Sequence, residues 1–261
     1  MSTPVLELAG LTRRYAGLVA VDAVDLAVAP GCIHAVIGPN GAGKTTLFNL
    51  VSGIVAPSAG RIAFLGRDVT AAPAHARAAA GMGRTFQNIR IFSAMTVLEN
   101  VLTGLAAHFP GGLASVIGWR GAVRTAERDA TARARAALDL VGLSGFGSAL
   151  ASSLAYGDQR RLEIARAVAA SPRLVLLDEP AAGMNPAETI ALKALVRRIC
   201  DAGATVLLVE HDMGFVMDLS DRVTVLNFGR RIFEGTPAEV RRAPAVIEAY
   251  LGAKLAARLA P

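Results

Sequence analysis

Short apolar runs closed by polar residues alternate along the chain with stretches whose apolar positions repeat at helical spacing. His34 to Ile37, Leu174 to Leu177 and Thr205 to Val209 are continuous apolar runs of the kind that form strands buried in a parallel sheet. Val5 to Leu8, Asp25 to Val28 and, after Pro57-Ser-Ala-Gly60, Arg61 to Phe64 predict a β-rich entry. Arg222 to Leu226 and Arg230 to Glu234 predict a closing hairpin. Helical signals are as definite. Thr96-Val-Leu-Glu99 is a capping box, and an Ala/Arg-rich stretch from about Val123 to Val141 ends at Gly142. Asn185 is a good N-cap with Pro186 at the first helical position and Glu188 three after the cap; Leu192, Leu195, Val196 and Ile199 then share one face. The pattern predicts one α/β domain over 1–261, with a helical subdomain over about 90–160 and a C-terminal helical extension over 236–261 beginning at Thr236-Pro-Ala-Glu239.

Composition narrows the picture modestly. Hydrophobic residues make up 53 % of the 261, yet no uninterrupted apolar run suits a bilayer span. The nearest, Val101 to Trp119, is broken by Pro110, Gly111 and Gly112. The start, Met-Ser-Thr-Pro-Val-Leu-Glu, lacks a basic, signal-like segment, so the chain is expected in the cytosol, with any membrane link made through partners. The net charge of +6 is spread out, with three lysines (Lys44, Lys193, Lys254). The densest basic run, Arg120 to Arg135, is interleaved with Glu127 and Asp129, which favours a solvated helix face over a nucleic-acid surface. Cys32 and Cys200 stand alone, without disulfide or metal-ligand spacing, and are expected to be free thiols.

The chemistry begins at Gly38-Pro39-Asn40-Gly41-Ala42-Gly43-Lys44-Thr45-Thr46, a GxxxxGK[ST] pattern with a strand before it and the helix Thr46 to Val51 after it. Glycines let the loop turn tightly so that backbone N–H groups converge on phosphate oxygens at the positive end of the helix. Lys44 would reach the β- and γ-phosphates and the Thr45 hydroxyl would ligate Mg²⁺. A bare glycine-rich turn is the competing account, and the flanking strand and helix weigh against it.

Asp178, closing the run Leu174 to Leu177, puts a carboxylate at the mouth of the sheet in the manner of a Walker B strand. It would hold Mg²⁺ through water, while Glu179 orients or deprotonates an attacking water. Gln87 in Arg84-Thr-Phe-Gln87 offers an amide oxygen to the same ion, and His211 after the strand Thr205 to Val209 could hydrogen-bond a γ-phosphate oxygen or the water. Tyr15, upstream of the loop, could stack on adenine or simply belong to the core.

Just before the Walker B strand, Leu154-Ala-Tyr-Gly-Asp-Gln-Arg-Arg-Leu-Glu-Ile-Ala-Arg resembles the ABC ATPase signature, Leu-Ser-Gly-Gly-Gln, which in that family opens a helix toward the γ-phosphate held by the opposite subunit. Ala155 replaces the serine, Tyr156 the first glycine and Asp158 the glutamine. Recognition would therefore rest on backbone N–H groups around Ala155, Tyr156 and Gly157 and on the helix dipole, with Asp158 adding negative charge nearby. Taken in order, Tyr15, the loop, Gln87, the signature, Asp178-Glu179 and His211 resemble ABC transporter ATPase subunits over nearly the whole chain. Arg84-Thr-Phe-Gln-Asn-Ile-Arg-Ile-Phe, Met95-Thr-Val-Leu-Glu-Asn, Asp178-Glu-Pro-Ala-Ala-Gly-Met-Asn-Pro and Gly235-Thr-Pro-Ala-Glu are similar to the LivG-type subunit of branched-chain amino acid importers. Asn185 stands where most relatives carry the D-loop aspartate.

That resemblance implies a P-loop core of ABC type, with an N-terminal antiparallel β subdomain and an inserted helical subdomain. It also implies ATP and Mg²⁺ as cofactors and a second ATPase subunit, LivF-like or a second copy. Two membrane permeases and an extracytoplasmic binding protein complete the expected assembly, with the chain at the cytoplasmic face of the membrane. Urea, amides or aromatic acids remain alternative cargoes. A soluble ABC ATPase acting on ribosomes or DNA is a rival, disfavoured by the single cassette and the lack of sustained heptads; a small-molecule kinase is a weaker one.

Overall fold

The apolar runs form the centre of a six-stranded sheet. In the computed structural model, which describes residues 3–106 and 120–250 with the side chains of 120–124 excepted, β3 (Ile33–Ile37), β7 (Leu174–Asp178) and β8 (Thr205–Val209) are buried at every position. The strand order is β10-β9-β3-β8-β7-β6, where β6 is Met82–Arg84, β9 Arg222–Asn227 and β10 Arg230–Gly235. The sheet is parallel except for the β9–β10 hairpin. Alternation assigns its faces: on β7, Val175 and Leu177 join one hydrophobic core while Leu174 and Leu176 join another.

The second core is shared with a four-stranded antiparallel sheet of order β2-β1-β4-β5, comprising β1 (Leu6–Tyr15), β2 (Leu18–Val28), β4 (Ala59–Phe64) and β5 (Arg67–Asp68). Between the two sheets lies α1 (Lys44–Val51), whose Leu47, Phe48, Leu50 and Val51 are fully enclosed. Truncating Phe48 to alanine there would cost about 3–5 kcal/mol. The β1–β2 hairpin is much longer than the segments Val5 to Leu8 and Asp25 to Val28 suggest. Its pairing shifts register between Leu8 and Leu11, and Gly10 and Ala23 have positive φ, so the two-residue alternation is interrupted midway.

The helical part contains α3 (Val97–Thr103), α4 (Arg120–Val141) and α5 (Tyr156–Val168), which pack on one another and on the first core through Val97, Val101, Ala134, Leu138 and Leu162. A short helix, α2 (Ala74–Ala79), precedes β6. The box at Thr96 and Glu99 forms as the sequence indicates. Along α4, Ala130, Ala134, Ala137, Leu138 and Val141 face inward, whereas Glu127, Arg128, Asp129, Arg133 and Arg135 are exposed. Gly104 ends α3 where a Cβ would stand 2.3 Å from the Arg166 carbonyl, so a side chain there would push α3 off α5. Most of the broken apolar stretch up to Trp119, and the last residues of the C-terminal extension, 251–261, lie outside the described residues. Among those described, no helix is long and apolar enough to cross a membrane.

The chain then alternates through α6 (Pro186–Asp201), α7 (Met213–Leu219) and α8 (Pro237–Arg242). Asn185 and Glu188 complete a capping box on α6, and Thr236 and Glu239 another on α8. Cys32 and Cys200 are free thiols.

Candidate functional site

The C-terminal ends of β3, β7 and β8 converge, and the loop 38–46 leaves β3 there to start α1. Two glycines let the loop sit so low. A Cβ on Gly38 would stand 2.2 Å from the Leu226 carbonyl, and one on Gly43 2.4 Å from the Ala20 carbonyl; Gly43 also holds φ 98°. The loop is tied to the β9–β10 turn by the Gly229 N–H, which donates to Ala42 at 3.1 Å. The Lys44 ammonium folds back and donates to the Gly38 and Pro39 carbonyls at 2.7 and 3.0 Å. Burial holds its pKa below the usual lysine range, with the nearby charges of Glu179 and Asp178 pulling the other way. Asn40, Gly41 and Thr45 are exposed, and Pro39, Gly43 and Thr46 half-buried.

Asp178 is buried at the end of β7. Its Oδ2 accepts from Arg84 Nη2 at 3.2 Å, while Oδ1 is buried without a hydrogen-bond partner. Burial raises this carboxyl's pKa, and Arg84 opposes the rise. An orphaned carboxylate oxygen is costly unless something else satisfies it, and a cation or its bound water would do so. Among the described residues no cluster of three His, Cys, Asp or Glu side chains could form a metal cage. The donors on hand, one carboxylate, the Thr45 hydroxyl and the Gln87 amide, suit Mg²⁺, which takes few protein carboxylates and completes its shell with water and phosphate.

Glu179 follows with φ 46°, a left-handed conformation unusual for a non-glycine residue. Gln87 Nε2 donates to Glu179 Oε2 at 3.0 Å, leaving the amide oxygen of Gln87 as its end for a cation. His211 Nδ1 lies 3.8 Å from that same Glu179 oxygen and 3.8 Å from Glu210 Oε2, and its ring is exposed. Glu210, which no sequence signal singled out, is fully buried and accepts from the Ala181 and His211 N–H groups, so it joins the turns after β7 and β8. Lys44, Gln87, Asp178, Glu179 and His211 thus meet in one place.

Tyr15 sits at the tip of the β1–β2 hairpin, where the Arg13 guanidinium lies 4.5 Å from its ring centroid and occupies one face. It is an exposed residue rather than a core one, next to exposed Leu18 and Val19. The signature residues lie elsewhere: among the described residues no hydrogen bond or ion pair joins Ala155, Tyr156 or Gly157 to Lys44, Gln87 or Glu179. Ala155 is the N-cap of α5 but offers no side-chain bond. The Tyr156 hydroxyl donates to the Ala182 carbonyl at 3.1 Å, and its ring lies against Gly183. The expected negative charge of Asp158 is offset by Arg161 at 3.0 Å. Deeper in α5, Arg160 donates to the Phe86 and Gln87 carbonyls at 2.7 and 2.8 Å, and Glu163 accepts from the Phe86 and Arg90 N–H groups. This fully buried pair latches the signature helix to the Gln87 segment, a link over more than seventy residues that spacing alone does not reveal. Beside that segment opens a groove of about 440 Å³, lined in part by Arg84, Phe86, Arg90, Phe92 and Arg166.

Comparisons with known proteins identify the family and the fold of the chain. A family model described as ABC transporter matches residues 21–182. The chain is 46 % identical to the high-affinity branched-chain amino acid transport ATP-binding protein BraF of Pseudomonas aeruginosa, over 97 % of the chain and 99 % of the relative. The chain belongs to the ABC transporter ATP-binding family. The LivG protein of Escherichia coli, named for the same transport, is 44 % identical over the same shares. A second model, described as branched-chain amino acid ATP-binding cassette transporter, matches residues 230–256. Among solved structures, the ADP conformation of MJ1267, an ATP-binding cassette of an ABC transporter, superposes with a TM-score of 0.84 at 29 % identity, covering 96 % of this chain and all of that one. A nucleotide-free cassette gives 0.83, also at 29 %, over 95 % and 99 % of the two chains. The fold is that of an ABC ATPase cassette, and ATP binding follows from the family.

Proposed function

We propose that this ABC ATPase powers an importer of branched-chain or related hydrophobic amino acids, working as one of two paired ATPase subunits at the cytoplasmic face of a membrane. The single observation that carries the catalytic reading is the convergence on one strand edge of Lys44, the unpartnered Asp178 oxygen and the Glu179–Gln87 contact. The transport for which the relatives are named and the match at 230–256 support the cargo.

The residues act as follows. Phosphates enter over the loop 38–46, and Lys44 exchanges the Gly38 and Pro39 carbonyls for β- and γ-phosphate oxygens. Thr45, Asp178 and Gln87 would hold Mg²⁺, which supplies charge neutralisation on the phosphates when bound. Gln87 can offer its amide oxygen while its Nε2 stays on Glu179 Oε2, and that contact holds the Glu179 carboxylate in place to take a proton from the attacking water. His211, already beside Glu179, hydrogen-bonds the γ-phosphate or the water, and Tyr15 offers its open ring face to adenine. The N-terminus of α5, with the backbone of Ala155, Tyr156 and Gly157, addresses the ATP held by the paired subunit, either LivF-like or a second copy. Two permeases and an extracytoplasmic binding protein complete the assembly, a permease segment seating in the groove at Phe86 and Phe92 beside Gln87; nucleic acid has no part in it.

Two measurements test this. Lys44→Ala should weaken ATP affinity about tenfold or more by calorimetry, since it removes a charged phosphate contact; unchanged affinity rejects the loop assignment. Turnover should rise with permease in vesicles and not with RNA or DNA, and the reverse result refutes the transport reading.

A further inference from the structure

Arg84 is the last residue of β6, and its guanidinium bonds to two other elements at once. Nη1 donates to the Phe48 carbonyl at 3.1 Å and to the Ser52 hydroxyl, both at the C-terminal end of α1. Nη2 donates to Asn49 Oδ1 at 2.8 Å, also on α1, and to Asp178 Oδ2 at 3.2 Å on β7. The side chain is only 10 % exposed and that of Asp178 3 %. Thr45 lies in the first turn of α1, Asp178 ends β7, and Gln87 lies three residues beyond Arg84 on the same stretch of chain. One guanidinium therefore ties together every element assigned a Mg²⁺ ligand.

The contact is also selective at the carboxylate. Arg84 takes Oδ2 and leaves Oδ1 buried and without a partner. A carboxylate free to rotate would offer either oxygen. Pinned at one, it presents the other.

Arg77 supplies a control within the same fold. It too is fully buried and braces the end of α1, donating to the Leu50 and Val51 carbonyls at 2.7 Å each, as well as to Ala72 and Thr70. It bonds to none of Thr45, Asp178 or Gln87. Two arginines thus share the task of closing α1, and only one of them reaches the carboxylate.

We propose that Arg84 is a positioning residue for the divalent cation: it orients Asp178 through Oδ2 so that Oδ1 faces the ion, and it holds α1 and the Gln87 segment at the matching distance. This rests on the nucleotide-site reading above. Outer partners of metal ligands typically tune metal affinity without contacting the metal.

The test compares Arg84→Met, Arg84→Lys and Arg77→Met, using Mn²⁺ as a spectroscopic stand-in for Mg²⁺. Mn²⁺ affinity of the ATP complex is measured by electron paramagnetic resonance, and ATP affinity in EDTA by calorimetry, with thermal unfolding in parallel. Arg84→Met should weaken Mn²⁺ about tenfold or more while metal-free ATP affinity stays within about twofold. Arg84→Lys, which keeps the charge without the fork, should fall between wild type and Met. Arg77→Met should lower the melting temperature and leave Mn²⁺ affinity at the wild-type value. The proposal is overturned if Arg84→Met leaves Mn²⁺ binding unchanged, if it weakens metal-free ATP equally, or if Arg77→Met loosens Mn²⁺ as much. Should Arg84→Met not fold, Arg84→Lys decides: wild-type Mn²⁺ affinity in that variant refutes the role. Failure of the wild type itself to bind ATP would instead refute the underlying site reading.

Discussion

The two ends of the nucleotide machinery are built in opposite ways. Around loop 38–46 three strong polar side chains are engaged within the chain: Lys44 on loop carbonyls, Gln87 on Glu179, Asp178 on Arg84. At the start of α5, Ala155 caps nothing with its side chain and Tyr156 is 48 % exposed. On the proposed reading, the first end is arranged for a nucleotide that the single chain can bind. The second is a helix terminus without a side-chain cap, where Asp158 in the first turn is paired with Arg161; on the proposed reading it addresses a ligand held by another subunit. The Arg160–Glu163 latch joins the helix of the open end to Gln87 at the closed one.

Breaking the closed end chemically should have the largest effect. Glu179→Gln keeps shape and hydrogen bonding but removes the base, so turnover in the assembled pair should fall by about a thousandfold with ATP binding intact. Single-turnover hydrolysis beside nucleotide calorimetry checks this, and near-normal turnover would remove Glu179 from the role.

Next comes the foundation beneath the loop. His34 on β3 is buried with Nε2 2.8 Å from the Thr224 hydroxyl, and burial depresses its pKa to about 4. The neighbouring Glu234 carboxylate opposes that shift, and Arg222 reinforces it. The unfolded chain takes up this proton near 6.5 and the folded chain only near 4. Stability is therefore complete above pH 6.5 and drains as pH falls toward 4, by up to roughly 3 kcal/mol. Urea unfolding across that window should show a flatter pH profile in His34→Gln than in the wild type, and parallel profiles would refute the linkage.

The open end should respond only in the assembled pair. A Cβ at Gly157 would come 2.7 Å from Glu188 Oε1, so Gly157→Val must displace either α5 or the capping carboxylate of α6. Paired hydrolysis should drop about tenfold to a hundredfold through misplacement, while ATP binding to the single chain stays unchanged. A loss of binding in the isolated chain would erase the distinction between the ends. Smallest of all, Tyr156→Phe removes one exposed hydrogen bond to Ala182, worth about 1 kcal/mol or less. Its melting temperature should shift by a few degrees at most, and a large shift would mean that this end is as tightly built as the other.

The sequence made the closed end legible because its parts are local: glycine spacing and an apolar run ending in Asp178 each declare themselves within a few residues, as do the helix caps at Thr96, Asn185 and Thr236 elsewhere in the fold. What stayed hidden depends on distance. Arg84 meets Asp178 across 94 positions and Arg160 meets Gln87 across 73; nothing in a window of sequence separates such arginines from surface ones. The hairpin's true length was masked by its shifts of register near Gly10. Tyr156, which departs from the family's glycine, turned out to brace Gly183 and Ala182, a use that only the packed neighbour explains.

The backbone of Glu179, held at φ 46°, ranks safety against purpose. Glycine would hold that conformation without strain, so on backbone conformation alone the position favours a residue with no carboxylate, at the cost of the Gln87 contact. A selection that rewarded heat resistance and ignored transport would drift toward that silent version. On the role proposed for Glu179, the most vulnerable point of this cassette in directed evolution is its catalytic carboxylate.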